Sequence, residues 1–360
     1  MSRKPRLVLH VGGHKTGTSS LQYFLRRHRE AARRLGVRFA DFRADPDGAE
    51  KGHSQLARAA ASGRPAQRAQ GRAFVGRCLD AAEGADLTLI SSKELNRYDA
   101  VRRDAEGFRG QREFAADYMN GTPRYWRRRA RQLARIAGLL DPFEVEVWTS
   151  LRRPDAFCMS MYQQFVKVRW YAGTAREFAA LNHALFDYPR LVGQWADAFP
   201  RVRIFVYEDA ARRPAGVTGA YLEALGLGDL VPEAQRAGGT NRSLHPYVTE
   251  FLRLTNYLPL DKPALRAALA ERVDRSGWPD ARSLVALGVS DREAFNARWR
   301  EGCEALRRAH AVPTPGRDTL FDWEVRDDRP VFEGLDMARF EAMARQLGMQ
   351  PRLLPRPADA

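Results

Sequence analysis

The segment that most constrains this chain runs from Leu7 to Gln22 and reads LVLHVGGHKTGTSSLQ. It begins as an aliphatic run, which is typical of a buried parallel strand, and it breaks at Gly12 and Gly13. A helical pattern then resumes from Leu21. The first turn of a helix has unpaired N–H groups and carries the positive end of the helix dipole, so that it attracts anions. The order strand, glycine turn and helix therefore predicts an anion-binding loop on a doubly wound α/β sheet.

The residues of this loop suit a phosphate-like ligand. Gly17 allows the backbone to approach a ligand closely, the neighbouring hydroxyl groups are donors, and Lys15 adds a positive charge. The loop does not have the Walker A order, in which the lysine follows the last glycine, because Lys15 precedes Gly17. An ordinary Gly/Ser/Thr turn that caps a helix is the alternative interpretation.

The order Lys-Thr-Gly-Thr-Ser-Ser resembles the 5′-phosphosulfate loop of the sulfotransferases that use 3′-phosphoadenosine-5′-phosphosulfate (PAPS). In bacterial and glycan-modifying members, that loop reads much like His-x-Gly-x-x-Lys-Thr-Gly-Thr-Thr/Ser-Ser-Leu-Gln. The resemblance implies that PAPS is the sulfuryl donor and that no metal is required. It also implies that the following residues bind the donor: His14, Lys15, Thr16, Gly17, Thr18, Ser19 and Ser20.

Two further segments extend the resemblance. Arg152 follows a predicted strand, a proline comes two residues later, and Ser160 lies eight residues after the arginine. This spacing is similar to the 3′-phosphate site of the family, which implies that Arg152 and Ser160 bind that phosphate. The segment 238–244 resembles the late loop that covers the adenine and the 3′-phosphate, and it adds Asn241 and Arg242. An ordinary surface loop with two glycines is the alternative for this segment.

The acceptor needs a general base, for which the resemblance implies His53 and Glu94, with His14 as a third candidate. His53 stands where many bacterial members have a histidine at the start of a helix, and Glu94 follows the third predicted strand. Related families often have Ser-Ser-Glu there, but Lys93 intervenes here and leaves the register of Glu94 open. A helix-entry histidine without chemistry, and a glutamate that only complements a helix dipole, are the alternatives.

Five predicted strands alternate with helices, which favours one parallel sheet with right-handed crossovers. The strands lie within 7–11, 36–42, 86–95, 143–150 and 202–209. With the resemblance, the expected fold is α/β: a P-loop NTPase-like three-layer α/β/α core over residues 1–250, with an insertion or lid at about 100–125. Residues 251–360 are expected to form a C-terminal helical extension that packs on the core.

The chain has 59 Lys and Arg against 44 Asp and Glu, a net charge of +15, which favours anionic partners. An arginine run at 124–135 predicts either the solvated side of an amphipathic helix or a surface that faces an acidic acceptor. The expected acceptor is a hydroxyl or amine of a carbohydrate or small metabolite. No nucleic-acid partner is expected, because no helix-turn-helix, zinc-finger or RNA-stacking signature is present.

Three widely spaced cysteines with no metal-ligand spacing favour a reducing compartment, and the apolar run before Gly12 is too short for a signal peptide or membrane anchor. We therefore expect a cytoplasmic protein without a membrane span, and the resemblance to bacterial sulfotransferases implies a bacterial protein. Two rival functions stay open at this point. One is a P-loop kinase whose Mg²⁺ is held through Asp209, and the other is a non-enzymatic nucleic-acid binder.

Overall fold

The computed structural model describes residues 3–13, 15–40, 54–61, 64–96, 121–169, 171–181, 183–237, 244–280, 284–327 and 329–350. Within these ranges the chain forms one five-stranded sheet and fifteen α-helices. The strands are β1 (Arg6–His10), β2 (Val37–Phe39), β3 (Leu87–Ser91), β4 (Glu144–Leu151) and β5 (Val202–Val206).

The helices lie between and after the strands. They are α1 (Thr18–Arg27), α2 (Arg29–Arg34), α3 (Ser54–Ala61), α4 (Pro65–Ala82), α5 (Pro123–Leu139), α6 (Pro154–Arg169), α7 (Ala175–Leu181), α8 (Tyr188–Ala198), α9 (Tyr207–Ala211), α10 (Gly216–Ala224), α11 (Val231–Ala237), α12 (Pro246–Thr255), α13 (Lys262–Glu271), α14 (Val289–Ala309) and α15 (Met337–Gln346).

The sheet is parallel throughout, with the strand order β2-β3-β1-β4-β5. The register pairs His10 with Ser91 on one side of β1 and with Trp148 on the other. These three residues therefore lie side by side near the carboxyl ends of the central strands. Strands β1 and β3 are almost entirely buried, as expected for a parallel sheet that is covered on both faces.

Two separate apolar clusters cover the two faces of the sheet. Leu7 and Leu9 of β1 pack with side chains of α3, α4, α5 and α8. Val8, which points the other way, packs with side chains of α1, α2, α10 and α11. Helices thus lie on both faces, and the predicted three-layer α/β/α architecture with a five-stranded parallel sheet is confirmed.

Some predicted element boundaries were wrong. The fifth strand ends at Val206, and Tyr207 already begins helix α9, whereas the sequence favoured a strand to Asp209. The acidic side chains of Glu208 and Asp209 lie in the first turn of that helix, where they complement its dipole. Helix α4 begins at Pro65, since proline suits the first helical position.

The chain divides into two compact units. The first contains the sheet and is drawn from residues up to 153, from 182–241 and from 299–322. The second is drawn from 154–181, 242–298 and the residues from 323 onward. Its own core includes Phe251 and Phe340, whose ring centroids lie 5.2 Å apart. The domain boundary expected near residue 250 stays a prediction.

Two features bear on the expected compartment. Cys78, Cys158 and Cys303 are buried thiols, and none of them forms a disulfide. Over the described ranges, none of the helices has the length and the apolar composition that a membrane crossing requires.

Candidate anion-binding site

The loop after β1 lies in a crevice of the sheet. Strand β1 is central, and the helix that follows it, α1, covers the face on which Val8 lies. Helix α5, between β3 and β4, and helix α8, between β4 and β5, cover the opposite face. In open α/β sheets, ligands bind outside the carboxyl ends of the strands, where neighbouring connections lie on opposite faces. The loop predicted from the sequence therefore lies at the usual ligand position for this class of fold.

The loop itself is tightly folded. The backbone N–H of Val11 bonds to the carbonyl of Trp148 at 2.8 Å, so the loop starts in register with β4. The Thr16 hydroxyl donates to the carbonyl of Gly13 at 2.7 Å. Lys15 and Gly17 both have left-handed backbone conformations, with φ of 64° and 87°. A left-handed lysine is uncommon, and such conformations concentrate at ligand sites.

The N-terminus of α1 lacks the side-chain cap that several other helices of the chain have. No side chain in the described part of the chain caps α1, and its first turn holds no acidic residue. The helices that do have a side-chain cap use Thr122, Asp187, His245, Asp261 and Asp336. The N–H groups of Thr18 and Ser19 thus have no side-chain cap within the described residues, as an anion site requires, while the N–H of Ser20 bonds to the carbonyl of Gly17 at 3.0 Å.

Two glycines of the loop have no room for a side chain. A Cβ atom on Gly12 would lie 2.5 Å from Thr18 Oγ1 and 2.7 Å from His10 Nε2. A Cβ atom on Gly17 would lie 2.7 Å from Val217 Cγ1 of α10. The first contact brings the loop down onto the end of β1, and the second brings the start of α1 against α10.

A hydrogen-bond network connects the elements on either side of the loop. His10 Nδ1 lies 3.0 Å from the Ser91 hydroxyl, and the Gln22 amide donates to the Ser91 carbonyl at 2.6 Å. These bonds join the ends of β1 and β3 to helix α1. The sequence motif included Gln22 without a role for it, and no sequence signal indicated that His10 turns towards β3.

Arg152 lies beside this loop. Its Nη1 is 3.5 Å from the carbonyl oxygen of Lys15, and its guanidinium lies over the ring of Tyr207, 4.6 Å from the centroid. The hydroxyl of Tyr188 donates to the carbonyl of Arg152 at 2.6 Å. The backbone and the guanidinium of Arg152 are therefore held by two tyrosines, Tyr188 and Tyr207, that the sequence analysis did not assign.

Thr18 Oγ1 and Arg152 Nε are among the buried polar atoms around this site that have no hydrogen-bond partner within the described ranges. Buried polar groups are normally paired, so that each exception needs an explanation. Both atoms are donors and both belong to the predicted anion-binding elements, so an anionic ligand is a fitting partner for them.

Two acidic residues in the first turn of α9 already have partners. The Glu208 carboxylate accepts the backbone N–H of Arg153 at 3.0 Å, and burial raises the pKa of Glu208. Both oxygens of Asp209 accept from the guanidinium of Arg317 at 2.6 Å. Asp209, the residue that a kinase interpretation requires for Mg²⁺, thus has both carboxylate oxygens in an ion pair.

The other predicted site residues are distributed as follows. Thr16 is buried, and Ser19 and Ser20 are half-buried in the first turn of α1. Glu94 lies in a short 3₁₀ turn after β3, where its N–H donates to the Ser92 hydroxyl at 3.3 Å. Ser160 lies on α6, in the second compact unit. His14, His53, Asn241 and Arg242 lie outside the described residues, as does the expected lid up to residue 120.

No protein-family model matches the chain, and no curated protein matches it significantly. Among solved structures, the crystal structure of a sulfotransferase from Alicyclobacillus acidocaldarius matches with 16% sequence identity and a TM-score of 0.43. The match covers 87% of this chain and 98% of that chain. In the part of the chain that is described, no group of three or more His, Cys, Asp or Glu could hold a metal ion.

Proposed function

We propose that this protein is a sulfotransferase that moves a sulfuryl group from PAPS to a hydroxyl or amine of a carbohydrate or small metabolite. The observation that carries the proposal is the closeness of Lys15 and Arg152, 137 positions apart in the chain, with Arg152 Nη1 3.5 Å from the Lys15 carbonyl. The two elements that resemble the 5′- and 3′-phosphate sites therefore lie within reach of one nucleotide.

The chemistry of the donor groups supports a ligand with two anionic ends. The loop offers Lys15, the hydroxyls of its threonines and serines, and the uncapped N-terminus of α1. Arg152 offers a planar fork of N–H donors, which suits a dianionic phosphate. The unpaired donors Thr18 Oγ1 and Arg152 Nε fit these two roles. Ser160 belongs to the second compact unit, and its part in the 3′-phosphate site stays a prediction from the sequence.

When bound, PAPS would supply the sulfuryl group and leave as adenosine 3′,5′-bisphosphate. A bond forms between the acceptor oxygen or nitrogen and sulfur, while the bond between sulfur and the 5′-phosphate oxygen breaks. Lys15 and the first-turn N–H groups of α1 would stabilise the negative charge that grows on that oxygen. Because these donors are fixed before the reaction, they need no reorganisation when the charge develops.

The acceptor must lose a proton to a general base, a contribution of typically about 10²–10⁴-fold. Glu94 is the candidate within the described residues, because it follows β3, whose last residue Ser91 contacts His10 at the end of β1. His53 and His14 remain candidates from the sequence. The loss of activity in Glu94→Gln, His53→Ala and His14→Ala, measured one by one, would distinguish them.

The direct test is a calorimetric titration with adenosine 3′,5′-bisphosphate, and with 5′-AMP as the analogue that lacks the 3′-phosphate. We expect the wild type to bind the bisphosphate at least about tenfold more tightly, the effect of one good charge-assisted contact of about 1.5–3 kcal/mol. Arg152→Ala should remove that difference, whereas Arg34→Ala, an exposed arginine of α2, should not.

Two results would count against the proposal. One is equal affinity of the wild type for the bisphosphate and for 5′-AMP. The other is a preference for Mg²⁺-ATP, with ATP consumption that EDTA abolishes, which would favour the kinase. If the bisphosphate binds as expected, a screen of carbohydrate and small-molecule acceptors with PAPS follows.

A further inference from the structure

A group of exposed arginines lies on two helices that cover one face of the sheet. Arg68 and Arg72 lie on α4, and Arg127, Arg128 and Arg131 lie on α5. We call these five residues the arginine face. Four of them are exposed and Arg128 is half-buried. Helix α5 has no acidic residue in its 17 positions, and the only one in α4 is Asp80, near its C-terminal end.

The two helices form one surface with α3. A Cβ atom on Gly71 of α4 would lie 2.4 Å from Ala59 Cβ of α3 and 3.6 Å from Leu139 Cδ1 of α5. Arg135 of α5 donates to the carbonyl of Ala60 at 3.0 Å. The buried sides of α4 and α5, which face the sheet, contribute to the same apolar cluster. The arginines therefore project from packed, adjacent helices and not from separate parts of the molecule.

An arginine-rich composition alone does not account for this surface. Elsewhere in the chain, many exposed arginines pair with a carboxylate: Arg176 with Asp291, Arg201 with Glu144, Arg213 with Glu223 and Arg345 with Glu341. No carboxylate partner of the arginine face is found within the described ranges. Like charges three and four positions apart on a helix repel each other, so an uncompensated group of this kind attracts a multivalent anion.

The spacing of the charges indicates a chain with repeated anionic groups. On α5, the face runs from Arg127 to Arg131, about 6 Å along the helix axis at the helical rise per residue, and α4 adds Arg68 and Arg72. A single phosphate contacts only one or two of them. The aromatic side chains of the two helices, Phe74, Tyr125 and Trp126, are all buried, so this face has no platform on which nucleic-acid bases could stack.

We propose that the arginine face binds an anionic polysaccharide, a linear glycan with repeated carboxylate or sulfate groups. Binding at this face requires neither the nucleotide nor sulfuryl transfer, so it can be tested whether or not the proposed activity is found. Duplex DNA, whose phosphates also repeat, is the competing ligand that the experiment must separate from a polysaccharide.

The experiment uses the full chain with labelled dextran sulfate, polygalacturonate, uncharged dextran and duplex DNA, and measures affinity by fluorescence anisotropy. The test variant is R127Q/R128Q/R131Q. The matched control, R29Q/R33Q/R34Q, removes the same charge from the exposed arginines of α2 on the opposite face of the sheet. A second test variant, R68Q/R72Q, removes the two arginines that α4 contributes to the arginine face. Circular dichroism checks that every variant is folded.

We expect the wild type to bind both anionic polysaccharides but not dextran, and to bind them more weakly as salt rises from about 50 to 200 mM. Each test variant should lose at least about threefold in affinity, and the triple variant about tenfold, while the control loses less than about twofold. Equal losses in the triple variant and the control would overturn the proposal, because net charge alone would then explain binding. Tighter binding of duplex DNA than of either polysaccharide would overturn it as well.

Discussion

The carboxylate of Glu208 accepts a hydrogen bond from the backbone N–H of Arg153, at 3.0 Å. Arg153 follows the end of β4, and Glu208 lies in the first turn of the helix that follows β5. The bond therefore fixes the turn that bears Arg152 against the first turn of α9. Arg152 also lies over the ring of Tyr207. Two consecutive residues, Tyr207 and Glu208, therefore position Arg152, the residue that is predicted to bind the 3′-phosphate.

We predict that Glu208→Ala and Glu208→Gln differ in their effect on nucleotide binding. The alanine variant leaves the half-buried N–H of Arg153 without this acceptor, which costs about 1–3 kcal/mol, and it should weaken binding of adenosine 3′,5′-bisphosphate by about tenfold. The glutamine variant keeps an oxygen acceptor and should bind within about twofold of the wild type. Calorimetric titration of both variants distinguishes a positioning role from a role of the negative charge, since a charge role would make the two variants alike.

The same carboxyl predicts a pH dependence of stability. Burial raises the pKa of Glu208 above its ordinary value of 4.5. A group with a raised pKa in the folded state stabilises the fold below its unfolded pKa, and this contribution is lost as pH rises through the folded pKa. The free energy of unfolding of the wild type, relative to Glu208→Gln, should therefore fall as pH rises from about 4 towards neutrality. Urea unfolding of both proteins across this range provides the measurement, and a constant difference would contradict the burial of this group.

Lys15→Ala tests the stabilisation of the leaving group. Loss of one fixed donor at a developing oxyanion typically reduces turnover by about 10²–10³-fold, or about 2.7–4 kcal/mol. We expect this loss in the rate of bisphosphate release from PAPS with an acceptor, and no large change in the melting temperature. The matched control is Lys4→Ala, which removes an exposed lysine that bonds to the Asp141 carbonyl. Normal turnover in Lys15→Ala would remove the lysine from the mechanism.

Local sequence patterns predicted the sheet and the loop, because both depend on neighbouring residues. Continuous aliphatic runs such as Leu7–Leu9 require burial on both faces of a sheet, and the glycines after them require a turn. The closeness of Arg152 and Lys15 followed only from the resemblance, since the two are 137 positions apart. The end of β5 was predicted wrongly because the apolar run that begins at Ile204 continues through Tyr207, one residue past the end of the strand. Local patterns do not reveal that Asp209 pairs with Arg317, 108 positions later.

Gly17→Ala should disrupt the loop for two separable reasons. Gly17 has a φ of 87°, a left-handed conformation that costs an alanine roughly 1–2 kcal/mol. The new Cβ atom would also lie 2.7 Å from Val217 Cγ1. We expect a loss of stability larger than the conformational cost alone, together with loss of bisphosphate binding. Thermal unfolding and calorimetric titration measure the two effects.

Gly226→Ala isolates the conformational part of this effect. Gly226 has a φ of 76°, but a Cβ atom there would contact nothing within 4 Å. Gly226→Ala should therefore lose stability by the conformational cost alone and keep its affinity for the bisphosphate. The double variant G17A/V217A should recover the steric part of the loss and not the conformational part. Equal losses of stability in G17A and G226A would contradict the close contact between Gly17 and Val217 of α10.

In the second compact unit, Arg292 joins two buried carboxylates. It donates to Asp155 at 2.8 Å and to Asp327 at 2.5 Å, and the Asp155 side chain is fully buried. Arg292→Met leaves both carboxylates without this partner, so we predict a loss of about 3–5 kcal/mol in the free energy of unfolding. Arg176→Met, which breaks the exposed pair with Asp291 in the same unit, should cost less than about 1 kcal/mol.

The pH dependence of stability distinguishes the charge pairing of Arg292 from its contribution to packing. Arg329 and then Arg292 hold the pKa of Asp327 well below its ordinary value of 3.8. A carboxyl with a lowered pKa stabilises the fold above its unfolded pKa, and the contribution is lost as pH falls through the folded pKa. The stability gap between the wild type and Arg292→Met should therefore narrow as pH falls from neutral to about 3. Chemical denaturation at each pH measures this difference in the free energy of unfolding. A difference that does not change with pH would mean that the methionine variant loses packing and not charge pairing.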